Sequence, residues 1–145
     1  MKKAFRGLVL TQQDKTVQAG FQDIAIDDLP EGEVLVRVDW STLNYKDGMI
    51  LNGLGRLVRQ YPHVPGVDFA GEVISSDDPR YAPGDQVILT GWRVGEAHWG
   101  GYAQYARVNA DWLVPMPDGL DGAHVMAIGT AGFTSMLAVM ALEEQ

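Results

Sequence analysis

The sequence contains no cysteine. That excludes a disulfide and any thiolate-held metal site, and it fits a cytoplasmic protein. Basic residues are also scarce, 11 Lys and Arg against 19 Asp and Glu, for a formal charge of -8. Neutralising nucleic-acid phosphates requires clustered cations, so no nucleic-acid partner is expected. Long apolar runs are missing as well: the longest apolar-rich stretch, near the C-terminus, reads as too short to span a bilayer, and no membrane partner is expected. At the start, Arg6 interrupts MKKAFRGLVL before a signal-peptide core is complete.

What is present suits one globular domain. The 145 residues are 46% hydrophobic and 21% charged, enough for one ordinary core. The 17 glycines and 7 prolines are spread along the chain, as in many short strands joined by tight turns. KKAFRGLVL and TVQAGFQDI read as strands joined at Gln13-Asp14-Lys15, and EVLVRVDWSTL follows a turn at Pro30-Glu31-Gly32. In that third strand Val34, Val36, Val38 and Trp40 are expected on one buried face, with Leu35, Arg37 and Asp39 on the other. Further strands are expected at DFAGEVIS, DQVILTG, GYAQYARV and WLVPM. In VPGVDFAG, Gly66 permits a tight turn and Gly71 a close backbone approach, while Asp85 in PGDQV can cap the turn's amides.

Towards the C-terminus the period becomes helical. Asp121 is the expected N-cap of GAHVMAI, and a second helical stretch, about Ala131 to Leu142, carries Phe133, Leu137 and Met140.

LNYKDGMILNG, following the third strand, sets an amide, a phenol, an ammonium and a carboxylate side by side at Asn44, Tyr45, Lys46 and Asp47. A short helix is expected over Asp47 to Leu51. Adjacent helical residues point about 100° apart, so Lys46 and Asp47 need not meet, and Asp47 reads as a cap or salt-bridge partner.

LNYKDG, VPGVDFAG, PGDQVILTGW, GEAHWGGYAQYARV and IGTAGFTSM occur in that order. Together they resemble the N-terminal catalytic half of the medium-chain dehydrogenase/reductase superfamily, in its zinc-free, quinone-oxidoreductase-like branch containing the acrylyl-CoA reductases. The resemblance implies a mainly β fold with C-terminal helices. Its centre is a partly open, GroES-like β-barrel, followed in the family by a Rossmann domain. It also implies NADPH, a small-molecule acyl-CoA or quinone substrate, and a homodimeric full-length enzyme. No G-x-G-x-x-G follows a strand here, and Gly129 and Gly132 lead into a helix without a buried strand before them. The expectation is therefore a GroES-like catalytic domain over 1–128 and, over 129–145, a connecting helix toward a nucleotide-binding domain absent from this chain.

Zinc-dependent members carry ligands where Asn44, Val67 and Gly129 stand. Neither valine nor glycine supplies a side-chain lone pair, and His63, His98 and His124, read as surface or turn histidines, lack ligand spacing, so no metal is expected. Without a Lewis acid, an activated double bond is a better hydride acceptor than an alcohol or aldehyde carbon, provided a donor meets the carbonyl oxygen. The expected function is reduction of a small α,β-unsaturated acyl-CoA such as acrylyl-CoA, with a quinone reductase and a non-catalytic GroES-like binding module as alternatives.

The resemblance places Tyr45 and Asn44 at NADPH and the nicotinamide, and makes Thr134 a cofactor contact. The residues alone allow that Tyr45 packs into the barrel, that Asn44 caps the short helix, and that Thr134 bonds its own backbone. Arg56 and Arg59 could meet coenzyme A phosphates or be solvated loop charges. Tyr102 could line an acyl pocket or belong to an aromatic core. No catalytic proton donor is assigned.

Overall fold

A computed structural model describes residues 4–144. Two ten-residue strands, β1 (Ala4–Gln13) and β2 (Thr16–Ala25), form an antiparallel hairpin whose turn residues Asp14 and Lys15 both have positive φ. That is the backbone twist a two-residue hairpin requires. The expected start of β1 at Lys2 lies outside the described residues.

The second sheet holds β3 (Val34–Ser41), β4 (Asp68–Ser76), β5 (Gln86–Thr90), β6 (Tyr105–Val108) and β7 (Leu113–Pro115). All pairings are antiparallel, in the order β6-β3-β4-β5-β7. Gly101, Tyr102 and Gln104, expected as strand, instead form bends before β6, and Ala103 makes an isolated bridge to Gly7 of β1. Two helices complete the fold, α1 (Tyr45–Leu51) and α2 (Gly122–Glu143). The mainly β, GroES-like reading therefore stands, and no Rossmann sheet occurs among the described residues.

The main core follows from strand alternation. Val34 and Val36 of β3, Phe69 and Val73 of β4, and Val87 and Leu89 of β5 are completely buried together. On the other face of β4, Ala70 packs against Val125 and Met126 of α2. Trp40 departs from the expected pattern. The register of β3 on β4 shifts between Val38 and Trp40, so Asp39 is an extra residue in the ladder. Trp40 is consequently turned outward, 53% exposed, against Gly122 of α2. Gly71 does permit a close approach: a Cβ there would lie 2.0 Å from the Arg37 carbonyl oxygen. Asp85 does cap its turn, accepting from the Ala82 N–H at 2.7 Å.

The C-terminal region corrects one expectation. Asp121 is the N-cap, accepting from the His124 N–H at 2.9 Å, but α2 covers 22 residues, by length and composition alone enough to cross a membrane, where the sequence reads as too short. The expected division into two helical stretches has its counterpart at Gly129. Its backbone (φ 51°, ψ -162°) does break the helix. The first segment packs on the sheet through Val125 and Met126, and the apolar residues beyond the break are exposed. Thr130 to Glu143 would span only about 21 Å of the roughly 30 Å hydrocarbon layer.

Candidate active site

The site forms where the end of β3, the start of α1, the start of β4 and the break in α2 meet. After Ser41 the chain leaves the sheet through Thr42 and Leu43, and Asn44, with extended backbone, opens α1. Asn44 and Asp47 form a capping box across the first turn, in which the Asn44 N–H donates to Asp47 Oδ2 at 2.9 Å. Asp47 is fully buried, and its Oδ1 accepts from the Val67 N–H at 3.1 Å. It is a cap partner, as expected, and it also ties α1 to the segment entering β4. Lys46 points the other way, to Glu96 at 3.2 Å.

A second buried carboxyl group, Asp68, occupies the centre. It accepts from Thr42 Oγ1 at 2.8 Å, Asn44 Nδ2 at 3.1 Å, the Thr130 N–H at 3.0 Å and the Thr130 hydroxyl. Asn44 Nδ2 also donates to Thr42 Oγ1 at 2.7 Å. Gly129 fits this crowding, since a Cβ there would lie 2.9 Å from Thr42 Cγ2 and 3.1 Å from Asp68 Oδ2. The sequence reading named Asn44 but missed Asp68, the carboxyl group that joins it to Thr42 and Thr130. The available signal was an acid inside the otherwise apolar run VDFA, where burial demands several donors.

Tyr102 closes the network, its hydroxyl donating to the Thr42 carbonyl at 2.8 Å. Burial, reinforced by Asp47 and Asp68, raises its pKa well above the usual phenol value, so it remains a neutral donor. Its ring packs against the cluster of Phe5, Val9 and Ile24. The core reading describes its contacts.

Beside this network a cleft of about 350 Å³ runs between Trp40 to Asn44 and the α2 stretch from Ala123 to Ala131. Tyr45 stands 88% exposed, so the alternative that it packs into the barrel is overturned. Its hydroxyl has no hydrogen-bond partner among the described residues. Asn44 performs the capping role and also faces the carboxyl network. Thr134 lies a turn beyond Thr130, and its hydroxyl donates to the Thr130 carbonyl at 2.7 Å. It is exposed and is not brought into the network.

The remaining predicted residues lie elsewhere. Arg56 is exposed on a 3-10 turn, Leu54–Arg56, and Arg59 lines a different cavity. Val67 is buried with Leu10, Ile50 and Val58, an apolar setting. His63 is a correction to the surface reading: it is 3% exposed, and its Nε2–H donates to the Gly95 carbonyl at 2.7 Å. The bridge between His63 and Leu10 of β1 draws it inward, which local sequence cannot reveal.

The family model of the alcohol dehydrogenase GroES-like domain matches residues 30–118. The chain belongs to that family. It is 61% identical over 142 residues to the acrylyl-CoA reductase AcuI of Ruegeria pomeroyi, covering 97% of this chain and 43% of the relative. It is also similar to the yhdH oxidoreductase of Salmonella enterica crystallised with NADP (TM-score 0.94, 53% identity, 96% of this chain, 43% of that one). Escherichia coli YHDH with bound NADPH superimposes equally well (TM-score 0.93, 56% identity, 95% and 43%). This member of the GroES-like family thus spans about 43% of the length of these relatives.

Proposed function

We propose that this chain is the catalytic-domain half of an NADPH-dependent, zinc-independent reductase that adds hydride to the carbon-carbon double bond of a small α,β-unsaturated acyl-CoA such as acrylyl-CoA. The observation that carries the reading is the pairing of an apolar Val67 with an Asn44 amide held by carboxyl groups, at positions where zinc-dependent relatives bind metal. Such a site supplies hydrogen bonds and no Lewis acid, which suits an acceptor that is already electrophilic. The 61% identity to an acrylyl-CoA reductase supports the choice of thioester over quinone.

The chain's own residues fit a nicotinamide cofactor. The amide of Asn44 borders a cleft open on the α2 side and the next residue, Tyr45, is exposed; neutral donors meet a carboxamide or ribose without competing charge. When bound, the cofactor supplies the hydride. Asn44 is positioned by Thr42, Asp47 and Asp68 and orients the acceptor face; Tyr45 contacts the cofactor, and Thr134 is assigned to its border. Arg56 and Arg59 are the assigned partners of coenzyme A phosphates, and Tyr102 shapes the acyl side of the site. Residues 1–128 form the catalytic domain and 129–145 the connection to a nucleotide-binding domain, in a cytoplasmic homodimer of the full-length enzyme.

Kinetics of the full-length enzyme with acrylyl-CoA, crotonyl-CoA and a benzoquinone test this reading. The expected order places kcat/KM highest for acrylyl-CoA. Preference for the quinone would replace the acyl-CoA reading, and loss of activity to a chelator with recovery on added zinc would refute zinc independence.

A further inference from the structure

A cavity of about 480 Å³ lies between the 57–63 segment and the 93–99 loop, sharing no lining residue with the cleft beside Asn44. Its local charge is opposite to that of the chain. Arg59 and Arg93 stand in its wall with one acid, Glu96. Arg93 Nε holds Glu96 Oε1 at 2.6 Å and Lys46 holds Glu96 Oε2 at 3.2 Å. Burial pushes the Glu96 carboxyl group up, but these two cations outweigh it and hold it below its usual value. Glu96 is therefore doubly neutralised. Among the described residues Arg59 has no ion pair or hydrogen bond, and the Arg93 guanidinium pairs with Glu96 alone, through Nε. Trp92 and Arg93 both adopt positive φ, at a cost for non-glycine residues, and this turn sets Arg93 at the cavity.

The rest of the wall narrows the ligand. His63 and His98 each donate Nε2–H to a backbone carbonyl, of Gly95 and Arg107, both at 2.7 Å. In the neutral ring this leaves Nδ1 as an acceptor, and burial of His63 favours its neutral form. Trp99 adds aromatic surface. Cations for phosphate, ring-nitrogen acceptors for an exocyclic amine or hydroxyl, and an indole for stacking match a phosphorylated adenosine.

We propose that this cavity anchors the phosphorylated adenosine of the acyl-CoA, away from the reacting acyl group. The inference rests on the acyl-CoA reductase reading and adds to it Arg93 and a recognition site remote from the chemistry. The long pantetheine arm between adenosine phosphate and thioester is what two separate cavities on one domain require. NADPH carries a phosphorylated adenosine too, so the test separates the two sources.

In the full-length enzyme, Arg59→Gln should raise KM for acrylyl-CoA about tenfold, the worth of one charge-assisted hydrogen bond, with kcat retained. The double variant with Arg93→Gln should raise it further. KM for acrylyl-pantetheine, which lacks the adenosine phosphates, should not move. Adenosine 3′,5′-bisphosphate should bind by calorimetry, compete with acrylyl-CoA and not with NADPH, and bind about tenfold more weakly to Arg59→Gln. Unchanged bisphosphate binding in the double variant, or competition with NADPH, overturns the assignment. Turnover of both thioesters with equal KM in wild type and double variant overturns the site and leaves the reductase reading intact. Arginine-dependent bisphosphate binding without turnover of either thioester supports the site and overturns the reductase reading.

Discussion

Removing the Asp47 carboxyl group tests how the site is held. Asp47 is completely buried, and its two oxygens accept from the backbone N–H groups of Val67 and Asn44. Asp47→Ala leaves the buried Val67 N–H and the half-buried Asn44 N–H without their acceptor, at about 1 to 3 kcal/mol for the first and less for the second. Deleting the buried carboxyl also removes its own desolvation cost, so the net loss should fall at about 2 to 4 kcal/mol. That is a large fraction of the roughly 5 to 15 kcal/mol that holds an ordinary domain. Asp47→Asn keeps one acceptor oxygen and sets an NH₂ group against the other donor, so it should lose less than alanine.

Urea unfolding of the 145-residue chain, followed by tryptophan fluorescence with the slope held common, gives the differences directly. Amide exchange at Val67 provides a local readout and should accelerate in both variants. An alanine variant within about 0.5 kcal/mol of wild type, with Val67 still protected, would refute the view that this carboxyl group joins α1 to β4.

Tyr45→Phe in the full-length enzyme should weaken NADPH binding by about 0.5 to 1.5 kcal/mol, the worth of a neutral hydrogen bond, and leave the melting temperature unchanged because the ring is exposed; unchanged affinity would remove Tyr45 from the cofactor site. Burial lowers the His63 pKa, so the unfolded chain takes up its proton first, and stability contributed by neutral His63 is present above about pH 6.5 and falls as pH drops toward the folded value. Wild type should therefore lose more stability than His63→Gln between neutral pH and pH of about 5.5; parallel losses would refute this. Phe133, Met136, Leu137 and Met140 are exposed on α2, so the 145-residue chain should self-associate with rising concentration in sedimentation velocity, and Leu137→Glu should reduce it; a monomer at all concentrations would refute it.

The strands were legible because their signals are local. Alternation, the Asp14-Lys15 turn and the Pro83-Gly84 turn are written within a few residues, and each strand expectation found its counterpart. Trp40 failed because a bulge moves one residue out of phase, and the residues that cause it belong to the pairing of two strands. His63 failed because its burial depends on a bridge to Leu10, far back in the chain. The candidate site was half legible. Asn44 and Asp47 are close in sequence, so their capping relation could be read. Asp68 meets Thr130 across 62 positions, and periodicity carries no information at that range.

The same long-range contact explains how α2 bears on the site. Before Gly129 the helix is fixed by apolar packing on β4; beyond it, the described apolar side chains are exposed and the hydrogen bonds from Thr130 to Asp68 hold the start of the segment. Asp68 also orients the Asn44 amide directly and through Thr42. A shift of the outer helical segment therefore has a short path to Asn44, through one buried carboxyl group that cannot leave its donors without unpaired polar atoms in the interior. Covering the apolar face of α2 would therefore also bear on the segment that holds the Asn44 amide.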